Sequence, residues 1–157
     1  MKNFLINLLI FFFIFLKSSF SNDLAFITNQ LANSVSVIDL KTYEVIKEIS
    51  VGSKPAGVAV KKDGKKIFIS NPESKEISVI DGYKLKNIKN ISLGKGPLGI
   101  ALTKDDKFLL VADWYDHKVR VINTNTLEVI KEIPVGRSPA GIDTDLKNSK
   151  FYVANRD

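Results

Sequence analysis

Apolar residues fall along this chain in short runs, among them Ala25 to Asn29, Val35 to Asp39, Ile67 to Asn71, Ile77 to Asp81, Leu109 to Asp113 and Val119 to Asn123. Each is rich in Val, Ile, Leu or Phe and closes on Asn or Asp, and clusters of Gly, Pro, Asn, Asp and Lys separate them. Runs this short, bounded by turn residues, predict strands, because an amphipathic helix needs a longer stretch with a 3.6-residue period. In the middle of the chain four strands are expected: Gly57 to Lys61, Lys66 to Asn71, Glu76 to Asp81 and Asn87 to Leu93. The turn between the first two carries Asp63-Gly64, a favoured hairpin signal. Its equivalents, Asp105-Asp106 and Asn148-Ser149, are looser.

The pattern is periodic. Val51-Gly52-Ser53-Lys54-Pro55-Ala56-Gly57 returns as Leu93 to Gly99 and as Val135 to Gly141, which sets Pro55, Pro97 and Pro139 at intervals of 42 residues. Val35-Ser36-Val37-Ile38-Asp39 recurs at the same interval as Ile77 to Asp81 and Val119 to Asn123, and Asn29, Asn71, Asp113 and Asn155 keep step. Four antiparallel strands per repeat of about 40 to 45 residues predict an all-β fold, a β-propeller of four-stranded blades that pack face to face. Packing on both faces accounts for strands that are nearly apolar throughout. About three blades are present, against four to eight in a closed propeller, so an open or partial ring is expected.

Ala25-Phe26-Ile27-Thr28-Asn29, Ile67-Phe68-Ile69-Ser70-Asn71 and Phe151-Tyr152-Val153-Ala154-Asn155 resemble the Tyr-Val-Thr-Asn signature of YVTN-repeat propellers. The Val-Gly-x-x-Pro-x-Gly and Val-Ser-Val-Ile-Asp segments match the same family. The resemblance spans Asp23 to Asn155 and implies the fold, not one activity, since such repeats are found in periplasmic and surface-layer proteins and in relatives of haem d1 and amine-dehydrogenase-associated propellers. Two readings of the short array stay open: a truncated part of a longer chain, seven-bladed by resemblance, or several chains assembled into one ring.

The N-terminus changes the picture of where the chain works. Met1-Lys2-Asn3 leads into an apolar run from Phe4 to Leu16, closed by Lys17. The run is shorter than the roughly 20 residues of a spanning helix, and small residues follow at Ser19 and Ser21, so residues 1–21 read as a signal peptide. Residues 22–157 are then the propeller, located in the periplasm or at the cell surface. An uncleaved membrane anchor is the alternative. The chain has no cysteine, which excludes a lipidated cysteine, disulfides, thiolate metal sites and covalently attached haem. Losing Lys2 and Lys17 lowers the formal charge of +6 by two. That excess permits anionic partners and gives only weak support to nucleic acid.

Pro55, Pro97, Pro139, Gly57, Gly99 and Gly141 read as structural: proline fixes the turn between blades and glycine permits close backbone approach. Asn29, Asn71, Asp113 and Asn155 are expected to fold back on the loops that follow them. Each inter-blade loop carries a base, Lys54, Lys95 or Arg137, and these loops share a rim with the loops after the second strands. One of those, Asp113-Trp114-Tyr115-Asp116-His117, holds the single tryptophan and the single histidine. Lys54, Lys95, Arg137, Trp114, Tyr115 and His117 are therefore the candidate ligand-binding residues. They would receive an anionic small molecule, a glycan or a protein. Against this stand lysines on the opposite rim, Lys61, Lys62, Lys65 and Lys104, which make one base per loop a matter of composition, and aromatics that also serve to cover a neighbouring blade. His117 has no second His or Cys to make a metal site.

No Gly-x-Ser-x-Gly elbow, phosphate-cradling Gly-rich loop or His-x-x-x-His spacing is present, and Asp63, Asp105, Asp106, Asp143 and Asp145 lie in or near turns. No catalytic residue, metal or cofactor is implied. The expected function is an exported, non-enzymatic binding or scaffold propeller of unknown ligand. The alternative is a lactonase-like or haem-d1/quinoprotein-associated periplasmic propeller whose active site lies in blades outside this chain.

Overall fold

The computed structural model describes residues 23–145, 147 and 149–157. The N-terminal apolar run, the cleavage expected after Ser21, and Asn148 lie outside the described residues. The described chain is a series of strands: β1 (Leu24–Asn29), β2 (Ser34–Asp39), β3 (Glu44–Ser50), β4 (Val58–Val60), β5 (Lys66–Asn71), β6 (Glu76–Asp81), β7 (Lys86–Ser92), β8 (Pro97–Leu102), β9 (Phe108–Asp113), β10 (Lys118–Asn123), β11 (Val129–Pro134), β12 (Pro139–Asp145) and β13 (Lys150–Asn155). They form antiparallel sheets in simple meander order: β1-β2-β3, β4-β5-β6-β7, β8-β9-β10-β11 and β12-β13. The described residues thus run from the second strand of one blade to the second strand of another. This is a partial propeller of four-stranded antiparallel blades, as the repeat requires.

The middle strands carry the core. Ile67, Phe68 and Ile69 on β5, and Ile77, Val79 and Ile80 on β6, are wholly buried, because one set faces the preceding sheet and the other the following sheet. Val79 and Ile80 are both buried because they point to opposite faces of β6, each covered by a neighbouring sheet. The pairing of each third strand with its fourth shifts register at the same repeat position, after Val37, Val79 and Val121. The extra residue lies on the fourth strand, at Ile46, Ile88 and Ile130, and bends that strand.

The outermost strands β3, β7 and β11 depart from the apolar expectation. Their residues alternate with Lys, Glu and Asn and are mostly exposed, with Ile49 and Ile91 buried. They lie at the periphery, where only part of one face meets another sheet.

A further contact recurs between blades. Leu85 and Leu127, each just before its fourth strand and in the left-handed region with φ of 48° and 63°, pack into the clusters between the first and second and the second and third sheets. Tyr43 holds the same repeat position with φ 61° but has no preceding sheet among the described residues and is 81% exposed.

Candidate functional site

The loops before the first strand of each sheet and after the second strand share one rim, because the chain reverses at every strand. Pro55, Pro97 and Pro139 are buried there. A Cβ on Gly57 would lie 2.8 Å from the Leu98 carbonyl oxygen and one on Gly99 would collide with that of Ala140, so these glycines let neighbouring innermost strands approach closely. Gly141 meets only the Ala154 side chain, at 3.7 Å.

In the first two repeats the residue ending the second strand spans its loop. Asn29 Nδ2 donates to Ser34 Oγ at 3.1 Å and Ser36 Oγ at 2.7 Å; Asn71 Nδ2 donates to the Glu76 carbonyl at 3.4 Å and Ser78 Oγ at 3.0 Å. These bonds reach the next strand beyond the turn. In the third repeat Asp113 replaces asparagine and Arg120 replaces serine. Asp113, wholly buried, accepts N–H bonds from Asp116 on its own loop and from Lys95 and Gly96 on the preceding inter-blade loop, at 3.1, 2.9 and 3.1 Å.

Arg120 is 5% exposed and donates to Asp113, to Asp116 and, through Nε, to Glu132 at 2.8 Å. Lys95 pairs with Asp116 at 3.0 Å and Lys118 with Glu132 at 2.7 Å, extending the cluster to the surface. Hydrogen bonds from Arg120 and then Lys95 hold the Asp116 carboxyl below the ordinary range; those from Lys118 and then Arg120 do the same for Glu132. Burial works against the Arg120 charge, but Asp116, Glu132 and Asp113 outweigh it and raise its pKa.

This cluster braces the aromatic loop. The Trp114 backbone N–H donates to the Gly96 carbonyl at 2.9 Å, and the Arg156 guanidinium lies 5.5 Å from the centroid of the Trp114 ring. The Tyr115 ring sits over Gly96, where a Cβ would be 2.6 Å from Cδ2, yet the side chain stays 60% exposed. His117 has φ 52° and accepts the Ser138 N–H on Nδ1 at 3.1 Å. Asn33, at the same repeat position, accepts the Lys54 N–H at 2.9 Å, so both residues staple a loop to the next inter-blade loop.

Of the candidate residues, Lys95 and Tyr115 meet around Gly96 and Asp116, and His117 adjoins Arg137 through Ser138. Lys54 stands apart, at the junction of the first two sheets, and in the repeat it corresponds to Gly96 and Ser138, not to Lys95 and Arg137. Sequence reasoning overlooked Arg120, Glu132 and Arg156. The joint change of Asn to Asp and Ser to Arg in one repeat was the available signal. On the opposite rim a cavity of about 480 Å³ opens between the third sheet and β12–β13, over Phe108, Leu110 and Phe151 and beneath Lys62, Lys104 and Lys150. Among the described residues no group of three or more His, Asp or Glu is placed to hold a metal, and no helix is long and apolar enough to cross a membrane.

Residues 20–103, just over half of the chain, match the YNCE-like beta-propeller family. The chain belongs to that family. Among solved structures, this YNCE-like propeller is similar to hydrazine synthase of Kuenenia stuttgartiensis, with a TM-score of 0.79 and 29% identity over 84% of this chain and 38% of that one. It shares its fold with the dihydro-heme d1 dehydrogenase NirN in complex with DHE (TM-score 0.75, 17% identity, 87% and 31% covered) and with U3-55K (0.70, 14%, 84% and 48%). The YNCE-like propeller therefore spans less than half the length of each of these chains. No curated protein matches its sequence.

Proposed function

We propose that this chain is an exported, non-enzymatic binding or scaffold propeller of the YVTN-repeat type, and that its ligand meets the rim around Tyr115. One observation carries this reading: the third repeat spends a buried Arg120–Asp113 pair on its loop, where the first two repeats use Asn and Ser. Burying two charges costs desolvation that a neutral pair avoids. The return is a rigid loop that presents Tyr115 and Trp114 beside Lys95, His117 and Arg137. An exposed aromatic on a fixed loop, flanked by cations, suits an anionic or aromatic group on a small molecule, glycan or protein. Long-range attraction would be screened by salt over a Debye length of about 8 Å at physiological ionic strength.

Emission of Trp114, the single tryptophan, serves as the readout in a screen of anionic metabolites and glycans, repeated with Lys95→Ser plus Arg137→Ser and, by calorimetry, with Trp114→Ala. Binding should weaken in both variants; binding that survives both, or that follows Lys61, Lys62 and Lys65 instead, refutes the rim. Export is tested by mass spectrometry of the secreted protein, expected to begin at Asn22. Met1 retained in the membrane fraction would refute it. A second reading, a lactonase-like or haem-d1/quinoprotein-associated periplasmic propeller whose active site lies in other blades, is supported to the extent that a hydrazine synthase, an enzyme, is 29% identical to this chain. Further histidine-bearing loops encoded after Asp157 would favour it.

A further inference from the structure

On the rim opposite the aromatic loop, hairpins between first and second strands lie beside the turns that follow third strands. The pair of residues facing each other where such a hairpin opens differs from sheet to sheet. Between β4 and β5 it is Lys61 with Lys66, joined by the Lys61 N–H donating to the Lys66 carbonyl at 3.0 Å; between β8 and β9 it is Thr103 with Phe108, through the same bond at 2.9 Å. Between β12 and β13 it is Asp145 with Lys150. Opposite or neutral partners stand at this position in the third and fourth sheets, whereas the second sets two ammonium groups across from each other, which by itself is destabilising. We propose that Lys61 and Lys66, together with Thr124 from the turn between β10 and β11, form a site for a tetrahedral oxyanion, the phosphate or sulfate group of a ligand.

Both side chains are directed to the junction between the second and third sheets, each a complete blade of four strands. Lys66 Nζ donates to the Thr124 carbonyl at 2.9 Å and Lys61 Nζ to Thr124 Oγ1 at 3.4 Å. Thr124 is wholly buried, and its hydroxyl donates to the Asp106 carbonyl at 2.6 Å, so the residue on which the two lysines converge is fixed. One repeat earlier this position is Gly82, where a Cβ would collide with the Gly64 carbonyl, and no hydroxyl is offered. Three departures from the repeat, at residues 61, 66 and 124, thus meet at one place. Each ammonium spends one N–H on Thr124 and keeps two for a further acceptor.

Charge gives an independent argument. The carboxylates nearby are engaged elsewhere: Asp63 with Lys65 at 3.7 Å, Asp105 with Lys107 at 3.1 Å, and Asp106 with the Lys62 backbone N–H at 2.8 Å. Among the described residues neither Lys61 nor Lys66 has a carboxylate partner, and the exposed Lys62, whose Nζ donates to the Lys104 carbonyl, adds to the positive potential beside them. Burial and then the charge of Lys61 lower the pKa of Lys66, with Asp63 acting the other way. An oxyanion between the two ammonium groups removes that repulsion and accepts charge-assisted hydrogen bonds from both. Two uncompensated cations match a dianion; a lone carboxylate would leave one of them unbalanced.

This site lies on the other rim from Tyr115 and stands or falls apart from the binding face proposed there. Inorganic phosphate titrated into the full chain at constant ionic strength should shift the amide resonances of Lys61, Lys66 and Thr124 to saturation and leave Trp114 emission unchanged. Acetate should bind about tenfold more weakly, having one charge to offer. Lys61→Thr and Lys66→Leu install the residues that Thr103 and Leu24 supply at the same repeat positions, so the fold should accept them. Each should weaken phosphate about tenfold, the loss of one charge-assisted hydrogen bond. Lys65→Ser, and Lys95→Ser plus Arg137→Ser, should change it by less than about twofold, since exposed pairs contribute little. Phosphate should also raise the melting temperature of the unaltered chain and not that of Lys61→Thr plus Lys66→Leu. Co-sedimentation with phosphatidylglycerol vesicles, lost in that double variant, would assign the phosphate to a lipid; phosphate binding without co-sedimentation would assign it to a soluble ligand. Shifts that do not saturate, or phosphate binding that survives both lysine changes, would overturn the proposal.

Discussion

Arg120 is buried because Asp113 is, and neither tolerates loss of the other. Removing only the guanidinium, as in Arg120→Met, strands a wholly buried carboxylate and should cost about 3–5 kcal/mol of stability in chemical denaturation. Asp113→Asn together with Arg120→Ser restores the Asn–Ser pair of the other repeats and should recover most of that loss, a coupling that a double-mutant cycle reads directly. Acid should act on the same cluster. Asp116 and Glu132 have pKa values depressed in the folded chain, so their stabilisation is complete above the unfolded value of about 4 and disappears as pH falls through the folded values. Stability should therefore fall on acidification below about pH 4, with a change in Trp114 emission, and the acid limb should be shallower in the Asn–Ser variant.

At the scale of the strand, the glycines of the innermost strands separate space from flexibility. Gly99→Ala would press a methyl group against the Ala140 carbonyl and should cost about 1–3 kcal/mol, as overpacking does. Gly141→Ala, with ordinary contact to Ala154, should be nearly neutral in thermal unfolding. The sequence made most of this level legible, because Pro, Gly and the Val-Ile runs recur in strict register and each marks a turn or a buried strand. It hid the bulges at Ile46, Ile88 and Ile130, since an extra residue repeated in every blade leaves the period unchanged. The polar outer strands were also hidden, because repeat length says nothing of distance from the axis. At the candidate site, Trp114, Tyr115 and His117 stood out by being unique, whereas the Arg120 cluster joins residues from three strands and two loops whose proximity only folding creates.

For the molecule as a whole, the four sheets are not equivalent: the second is packed on both faces, by the first and third sheets, while the fourth has its last strand exposed along most of its length. A linear array in which each unit contacts only its neighbours loses order from its ends inward. Amide protons should therefore report a gradient in time. The hydrogens of β13 and β1 should exchange with solvent first, through small local openings. Those of β5 and β6 should exchange last, at rates set by unfolding of the entire domain, as mass spectrometry of peptides after deuterium labelling can resolve. Uniform protection along the sequence would mean that the array opens as one cooperative unit. A graded pattern would make the middle repeat the clock by which the lifetime of the native state is kept.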